Sequence, residues 1–205
     1  MKELTRSYKP LTISTLAPHT GYARPFFYSP NHVKPSSSAL EVMTDLQFIP
    51  AGTIRADIDI DTATQKMIAR GVRMLLVTDS HDDVIGLITS RDLLGERTAA
   101  VMHNRRVRFS EVNVSDIMTT ADCIEVLQLK DVLHACVGDI VETLKHSGRQ
   151  HALVVDPESF SGKPVIRGIF SASQIARQLG VRTQTQEISE TFAEIDRAMS
   201  APAAR

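Results

Sequence analysis

Two short stretches of the chain pair a hydroxyl residue with a polar acceptor three positions later. In "GLITSRDLL" (86–94) the pair is Thr89 and Asp92, and in "GIFSASQIA" (168–176) it is Ser171 and Gln174. This spacing is the pattern of a capping box, in which both side chains bond the first turn of a helix. An ionised carboxylate there can also accept hydrogen bonds from two neighbouring hydroxyls of a ligand, more strongly than an amide. The four-residue pattern therefore predicts either helix capping or hydroxyl binding.

Both stretches belong to a longer repeat. "EVMTD" (41–45) returns as "DIMTT" (116–120), and "ARGVRMLLVTD" (69–79) returns as "HSGRQHALVVD" (146–156). The offset between the copies grows from 75 to 77 to 82 residues along the chain. Insertions of this kind fall in surface turns, the largest in the loop 157–164. The chain therefore contains one structural unit twice.

The periodicity within each copy predicts its helices and strands. One helix face is predicted in each copy from the apolar spacing of Thr64, Met67 and Ile68, and of Leu133, Val137, Ile140, Val141 and Leu144. Gly71 and Gly148 follow as left-handed C-caps. "MLLVT", "ALVVD", "VIGLIT" and "VIRGIF" read as strands, and "SRDLLGERTAAVMH" and "SASQIARQLG" as helices. Each copy is predicted as helix, strand, turn, strand, helix, preceded by a short extended piece. Neither can bury its small sheet alone, so the two copies should pack together.

The predicted organisation has five parts: an irregular arm (1–38), a first repeat (39–102), a connector (103–113), a second repeat (114–181) and a helical tail (182–205). The arm carries Tyr8, Tyr22, Tyr28, Phe26 and Phe27. Because solvated tails are poor in aromatics, it should pack on its own domain, across an oligomer interface or on a partner. Ile188, Phe192, Ile195 and Met199 predict an amphipathic tail helix that docks on the core or on a second subunit.

The composition excludes several classes of protein. A formal net charge of −1 over 205 residues argues against a non-specific nucleic-acid binder. Cys123 and Cys136 are too far apart for a CxxC site, so neither a disulfide framework nor a cysteine metal site is expected. No signal peptide or membrane span is indicated, and we expect a cytoplasmic, soluble protein.

The order, spacing and duplication of these motifs over residues 39–180 resemble the cystathionine-β-synthase (CBS) domain, in tandem as a Bateman module of the stand-alone bacterial type. The resemblance implies an α/β fold of two β-α-β-β-α repeats with pseudo-twofold symmetry, plus the N-terminal arm and C-terminal helix. It also implies clefts between the copies that bind AMP, ADP, ATP or S-adenosylmethionine. Carried onto this chain, Thr89 and Asp92 would hold a ribose, and Arg73 a phosphate.

The second copy departs from that pattern because Gln174 replaces the carboxylate while Ser171 keeps the hydroxyl. Gln150 lies at the position of Arg73, with His151 beside it, and either could reach a phosphate there. The second cleft is expected to bind weakly, to bind something else or to be empty. The sequence therefore predicts one nucleotide site of the family type.

Three classes of function follow from this reading. The first is a regulatory module that binds an adenine nucleotide, needs no other cofactor and signals to an unidentified regulated partner, most simply as a homodimer. The second is a structural or assembly subunit with vestigial clefts. The third, an enzyme, is disfavoured because no GxxxxGK, HExxH or GxSxG motif appears. No membrane or nucleic-acid partner is expected.

Overall fold

The computed structural model describes residues 33–157, 162–181 and 188–200. Most of the predicted arm, with all its tyrosines and both phenylalanines, lies outside the described residues. The strands are β1 (Thr44–Asp45), β2 (Thr53–Arg55), β3 (Met74–Thr78), β4 (Val84–Thr89), β5 (Thr119–Thr120), β6 (Val126–Gln128), β7 (His151–Asp156) and β8 (Val165–Ser171). The helices are α1 (Ile60–Arg70), α2 (Ser90–Leu94), α3 (Glu96–Arg105), α4 (Val114–Ile117), α5 (Leu129–Val132), α6 (Val137–Ser147), α7 (Ala172–Gln178) and α8 (Ile188–Ser200). Single 3₁₀ turns lie at Ala39–Val42, Phe109–Glu111 and Ala121–Cys123.

The strands form two four-stranded sheets that exchange their outermost strands between the repeats. The first sheet has the order β2-β3-β4-β5, and the second has the order β1-β8-β7-β6. Strand β1 lies at the start of the first repeat but pairs antiparallel with β8 of the second repeat. Strand β5 makes the equivalent exchange and pairs with β4. The predicted extended pieces thus link the two repeats, and the predicted pseudo-twofold α/β fold is confirmed.

The glycine that begins each copy of the repeated motif allows the exchanged strand to approach. A Cβ on Gly86 would lie 2.6 Å from the carbonyl oxygen of Thr119, next to β5. A Cβ on Gly168 would collide with the side chain of Met43, next to β1. The two glycines therefore recur because each strand is crossed closely by a segment of the other repeat.

Alternate residues of β3 face two different apolar cores. Leu75 and Val77 are fully buried in the core that the first sheet forms with its helices. Met74 and Leu76 pack instead with Leu153 of the second sheet in a core shared by the two sheets. This strand is buried on both faces, which explains its continuous apolar sequence. The prediction that the repeats pack together is therefore confirmed.

The helices differ from the prediction in two places. The buried face of α1 is formed by Ile60, Ala63 and Met67, whereas Ile68 is 69% exposed, so its assignment to the apolar face was wrong. Leu133 precedes α6 and is 52% exposed, while the other four positions predicted for that helix face are buried. The stretch predicted as one helix after β4 is two helices, α2 and α3, that meet at Gly95. Gly71 and Gly148 are left-handed C-caps, as predicted.

Both ends of the described chain pack on the second repeat. The last residues of the predicted arm bond to it through the amide of Val33 to the carbonyl of Gln178 (3.1 Å) and the amide of Val137 to the carbonyl of Ser37 (2.9 Å). Helix α8 buries Phe192 and Ile195 in the core beneath the second sheet. The tail helix therefore docks on the core of its own chain. No helix among the described residues is long and apolar enough to cross a membrane.

Candidate functional site

Thr89 and Asp92 form a complete capping box at the start of α2. The Oδ2 atom of Asp92 accepts hydrogen bonds from the Thr89 amide (2.8 Å) and the Thr89 hydroxyl (2.7 Å). The Asp92 amide in turn donates to the Thr89 hydroxyl over 3.4 Å. The Oδ1 atom accepts no hydrogen bond from any residue that the structure describes. One carboxylate oxygen thus holds the helix end, and the other is available to a ligand.

Asp92 lines an open cavity of about 1220 Å³, here called the first cavity, together with Arg73 and Gln150. Arg91 from α2, Lys145 from α6 and Asp196 from α8 also line it. Within the described parts of the chain, the Arg73 guanidinium makes no ion pair and no hydrogen bond. A partly buried cation without a protein counter-ion can pair with an anionic ligand, and a guanidinium suits phosphate in particular.

The backbone around this cavity obeys the repeat symmetry. The amide of Ser90, the first residue of α2, donates to the carbonyl of Arg73 over 2.9 Å. The amide of Ala172, the first residue of α7, donates to the carbonyl of Gln150 over the same distance, 2.9 Å. Gln150 is therefore the structural counterpart of Arg73, as the sequence alignment of the copies predicted.

The second copy of the motif does not cap its helix. The Ser171 hydroxyl bonds the Ser173 hydroxyl (3.1 Å), and no side-chain bond caps α7. The Oε1 atom of Gln174 accepts a hydrogen bond from the Thr44 hydroxyl on β1 (3.2 Å). The expectation that Gln174 could serve in a capping box was wrong, because its longer side chain bonds the exchanged strand instead.

Ser171 and Gln174 line a second cavity of about 150 Å³, with Thr44, Arg73 and His151. Burial, together with the positive charge of nearby Arg73, lowers the pKa of His151 to about 4. The imidazole is therefore neutral at physiological pH and can both donate and accept one hydrogen bond. This cavity is far smaller than the roughly 300–1,000 Å³ typical of small-molecule sites.

The structure groups the predicted site residues differently from the sequence reading in one respect. Arg73 lines both cavities, Gln150 lies in the first with Asp92, and His151 lies in the second with Ser171 and Gln174. The sequence predicts Gln150 and His151 in the same cleft because the two are adjacent in the chain.

Sequence reasoning missed Thr44, Lys145 and Asp196. Thr44 reaches its cavity only through the strand exchange, and the apolar spacing of α8 predicts docking without saying beside which residues Asp196 would lie. Among the described residues, no group of three or more His, Cys, Asp or Glu side chains is placed to hold a metal ion.

The family model of the CBS domain matches residues 32–98, beginning before the predicted boundary at residue 39. A search of curated proteins gave no match. An uncharacterized conserved protein from Pyrococcus horikoshii has a similar solved structure, at 18% identity and a TM-score of 0.52, covering 75% of this chain and 99% of that one. A CBS-domain-containing protein from Agrobacterium tumefaciens is 18% identical with a TM-score of 0.50, covering 71% and 94%. CBSX2 from Arabidopsis thaliana, solved in complex with AMP, is 20% identical with a TM-score of 0.48, covering 69% and 94%.

At these identities the structural similarity concerns the fold, and the fold agrees with the family match over the first repeat. The second repeat has the same element order and exchanges its outer strand with the first. Residues 32–98 are therefore a CBS domain, and the described chain has the fold of a CBS-domain pair.

Proposed function

We propose that this chain is a cytoplasmic regulatory module, not an enzyme, that binds an adenine nucleotide in the first cavity and passes a conformational change to a partner protein. The candidate ligands are AMP, ADP, ATP and S-adenosylmethionine. The observation that carries the proposal is the convergence of Asp92 and Arg73 on one cavity between the repeats. The two side chains lie beside Met74 and Thr89, which pair at one end of the β3–β4 hairpin, and they have complementary roles towards a nucleotide.

The chemistry of the two groups supports this assignment. The Oδ1 atom of Asp92 is available for ribose hydroxyls, because the capping bonds from Thr89 use Oδ2. Arg73 offers forked donors for a phosphate, and Gln150 lines the same cavity. A carboxylate suits ribose hydroxyls and a guanidinium suits a phosphate, so the pair matches the ribose-phosphate part of AMP, ADP and ATP.

The second cavity is proposed as a weaker site or an empty one. Its volume of about 150 Å³ is too small for a whole nucleotide, and the Oε1 atom of Gln174 is already bonded to Thr44. To bind here, a ribose hydroxyl would have to displace the Thr44 hydroxyl from the Gln174 amide. The new hydrogen bond to a neutral amide would be weaker than one to a carboxylate.

The output of the module is proposed to be a regulated protein partner, reached through a homodimer. Leu94 on α2 and Ile68 on α1 are 80% and 69% exposed, and the two helices are in contact. An apolar patch formed by neighbouring helices would be a surface for a second copy of the chain. Light scattering at micromolar protein should give twice the chain mass of 22.6 kDa, and a monomer would contradict the dimer.

Cys123 and Cys136 are free thiols, as is usual in a reducing compartment.

The proposal is tested by nucleotide titration of the parent chain and of Asp92→Asn. At one hundred times its dissociation constant, a nucleotide should stabilise the parent by about 2.7 kcal/mol, a melting shift of roughly 5–10 °C. Asn keeps the size of Asp and an acceptor for Thr89 but loses the charge, so we expect at least tenfold weaker binding. Asp131→Asn, outside both cavities, is the control and should bind like the parent.

Two outcomes would count against the proposal. If Asp92→Asn binds as tightly as the parent, Asp92 acts only as a helix cap. If no adenine nucleotide stabilises the parent at millimolar concentration, the structural-subunit function replaces the regulatory one. The complete capping box, which gives Thr89 and Asp92 a structural role of their own, is the observation that favours this second candidate.

A further inference from the structure

Helix α8 forms part of the wall of the first cavity. Phe192, Ala193 and Asp196 line the cavity that Asp92 and Arg73 also line. The helix comes from the tail, after both repeats are complete. A ligand in this cavity would therefore contact an element that belongs to neither repeat.

Two kinds of contact hold α8 in place. Phe192 is 5% exposed and Ile195 is fully buried, both in the core of the second repeat. The Nζ atom of Lys145 on α6 lies 2.7 Å from Oδ2 of Asp196, and 3.7 Å from Oε1 of Glu142. Among the described residues, the ion pair between Lys145 and Asp196 is the one that joins α8 to the body of the protein. The contact with Asp196 raises the pKa of Lys145 above its ordinary value.

Some of the basic side chains that line the first cavity already form an ion pair within the protein, and others do not. Arg73 and Arg91 form no ion pair with any described residue, so a first phosphate can pair with them without breaking a contact. Lys145 is paired with Asp196, which lies on the same cavity. The volume of about 1220 Å³ leaves room beyond one phosphate, since typical small-molecule sites measure about 300–1,000 Å³.

We propose that Lys145 selects ligands by the number of their phosphates, and that a phosphate bound to Lys145 displaces Asp196 and loosens α8. The inference rests on the proposed nucleotide function of the first cavity. A phosphate chain that reaches Lys145 brings negative charge against Asp196, and the repulsion weakens the contact that holds the helix. A monophosphate that stops at Arg73 leaves the pair intact. By linkage, docking of α8 opposes the binding of a triphosphate but not that of a monophosphate.

The first experiment compares ATP and AMP binding by calorimetry in the full chain and in two variants. Lys145→Gln should weaken ATP binding about tenfold and leave AMP binding unchanged. Asp196→Asn removes the repelling carboxylate and should strengthen ATP binding severalfold, again without changing AMP binding. Lys130→Gln, an exposed lysine outside both cavities, is the matched control and should change neither affinity.

The second experiment measures hydrogen exchange of the backbone amides of α8 in the full chain. Saturating ATP should speed exchange in α8 relative to saturating AMP, and Asp196→Asn should speed it without ligand. If ATP and AMP give the same exchange, or if Lys145→Gln lowers both affinities equally, the inference is overturned while the proposed function stands. If the parent binds neither AMP nor ATP, the inference is overturned, and the proposed function is overturned with it only if ADP and S-adenosylmethionine also fail to bind.

Discussion

At the scale of single residues, His151 is a neutral imidazole held beside a fixed cation. Burial and the charge of Arg73 lower its pKa to about 4, against about 6.5 in an unfolded chain. Between these two values the unfolded chain binds a proton that the folded protein does not. The contribution of neutral His151 to the free energy of unfolding should therefore be complete above pH 6.5. It should fall as the pH drops towards 4.

We expect this single residue to cost about 2 kcal/mol of stability at pH 5 relative to pH 8. Urea unfolding at a series of pH values measures the loss, and His151→Gln should flatten the curve between pH 4.5 and 6.5. His146→Gln, on the exposed face of α6, is the control and should keep the slope of the parent. An unchanged slope in His151→Gln would show that another group carries the pH dependence.

The two copies of the motif show what residue-level patterns can predict. The sequence places Thr89 and Asp92 correctly in a capping box because both partners lie within one helical turn. The same rule fails at Gln174, whose partner Thr44 is distant in sequence and arrives only through the exchanged strand. Local hydrogen bonds can be predicted from spacing, whereas bonds across a sheet depend on a pairing that spacing does not encode.

At the scale of the elements, long periodic segments could be predicted with their positions, whereas the short extended pieces could be predicted but their pairing could not. Helix α6 and strands β3 and β4 follow their apolar patterns. Strands β1 and β5 have two residues each, too few for a period, and their pairing partners belong to the other repeat. The glycines at 86 and 168 recur in both copies of the motif, but the segment that approaches each of them is known only from the structure.

Gly86→Ala and Gly138→Ala should change the free energy of unfolding in opposite directions. The first tests the close approach of strand β5, and the second tests only the helix propensity of alanine. In Gly86→Ala the new Cβ would lie 2.6 Å from the Thr119 carbonyl, so the variant should lose about 1–3 kcal/mol. In Gly138→Ala the nearest atom, the Pro35 carbonyl oxygen, lies at an ordinary 3.5 Å, so the variant should gain up to about 1 kcal/mol within α6. Urea unfolding measures both changes. Equal effects at the two positions would mean that β5 does not lie against β4 as described.

At the scale of the whole molecule, the exchange makes each core depend on both repeats. Val42, from the start of the first repeat, is fully buried in the core of the second. Val114 and Ile117, from the start of the second repeat, are fully buried in the core of the first. Neither sheet can therefore lose its packing without exposing apolar residues of the other repeat.

We expect the two repeats to unfold in a single cooperative transition. Ile117→Ala should cost about 2–5 kcal/mol, and Val42→Ala also leaves a cavity and should cost somewhat less because fewer methyl groups are removed. Each variant should shift the whole transition, since the residue belongs to one repeat and its cavity lies in the core of the other. Calorimetry tests this through the ratio of van't Hoff to calorimetric enthalpy, which is near one for a two-state unit. Two separable transitions, with each substitution shifting only one of them, would show that the repeats are independent despite the exchanged strands.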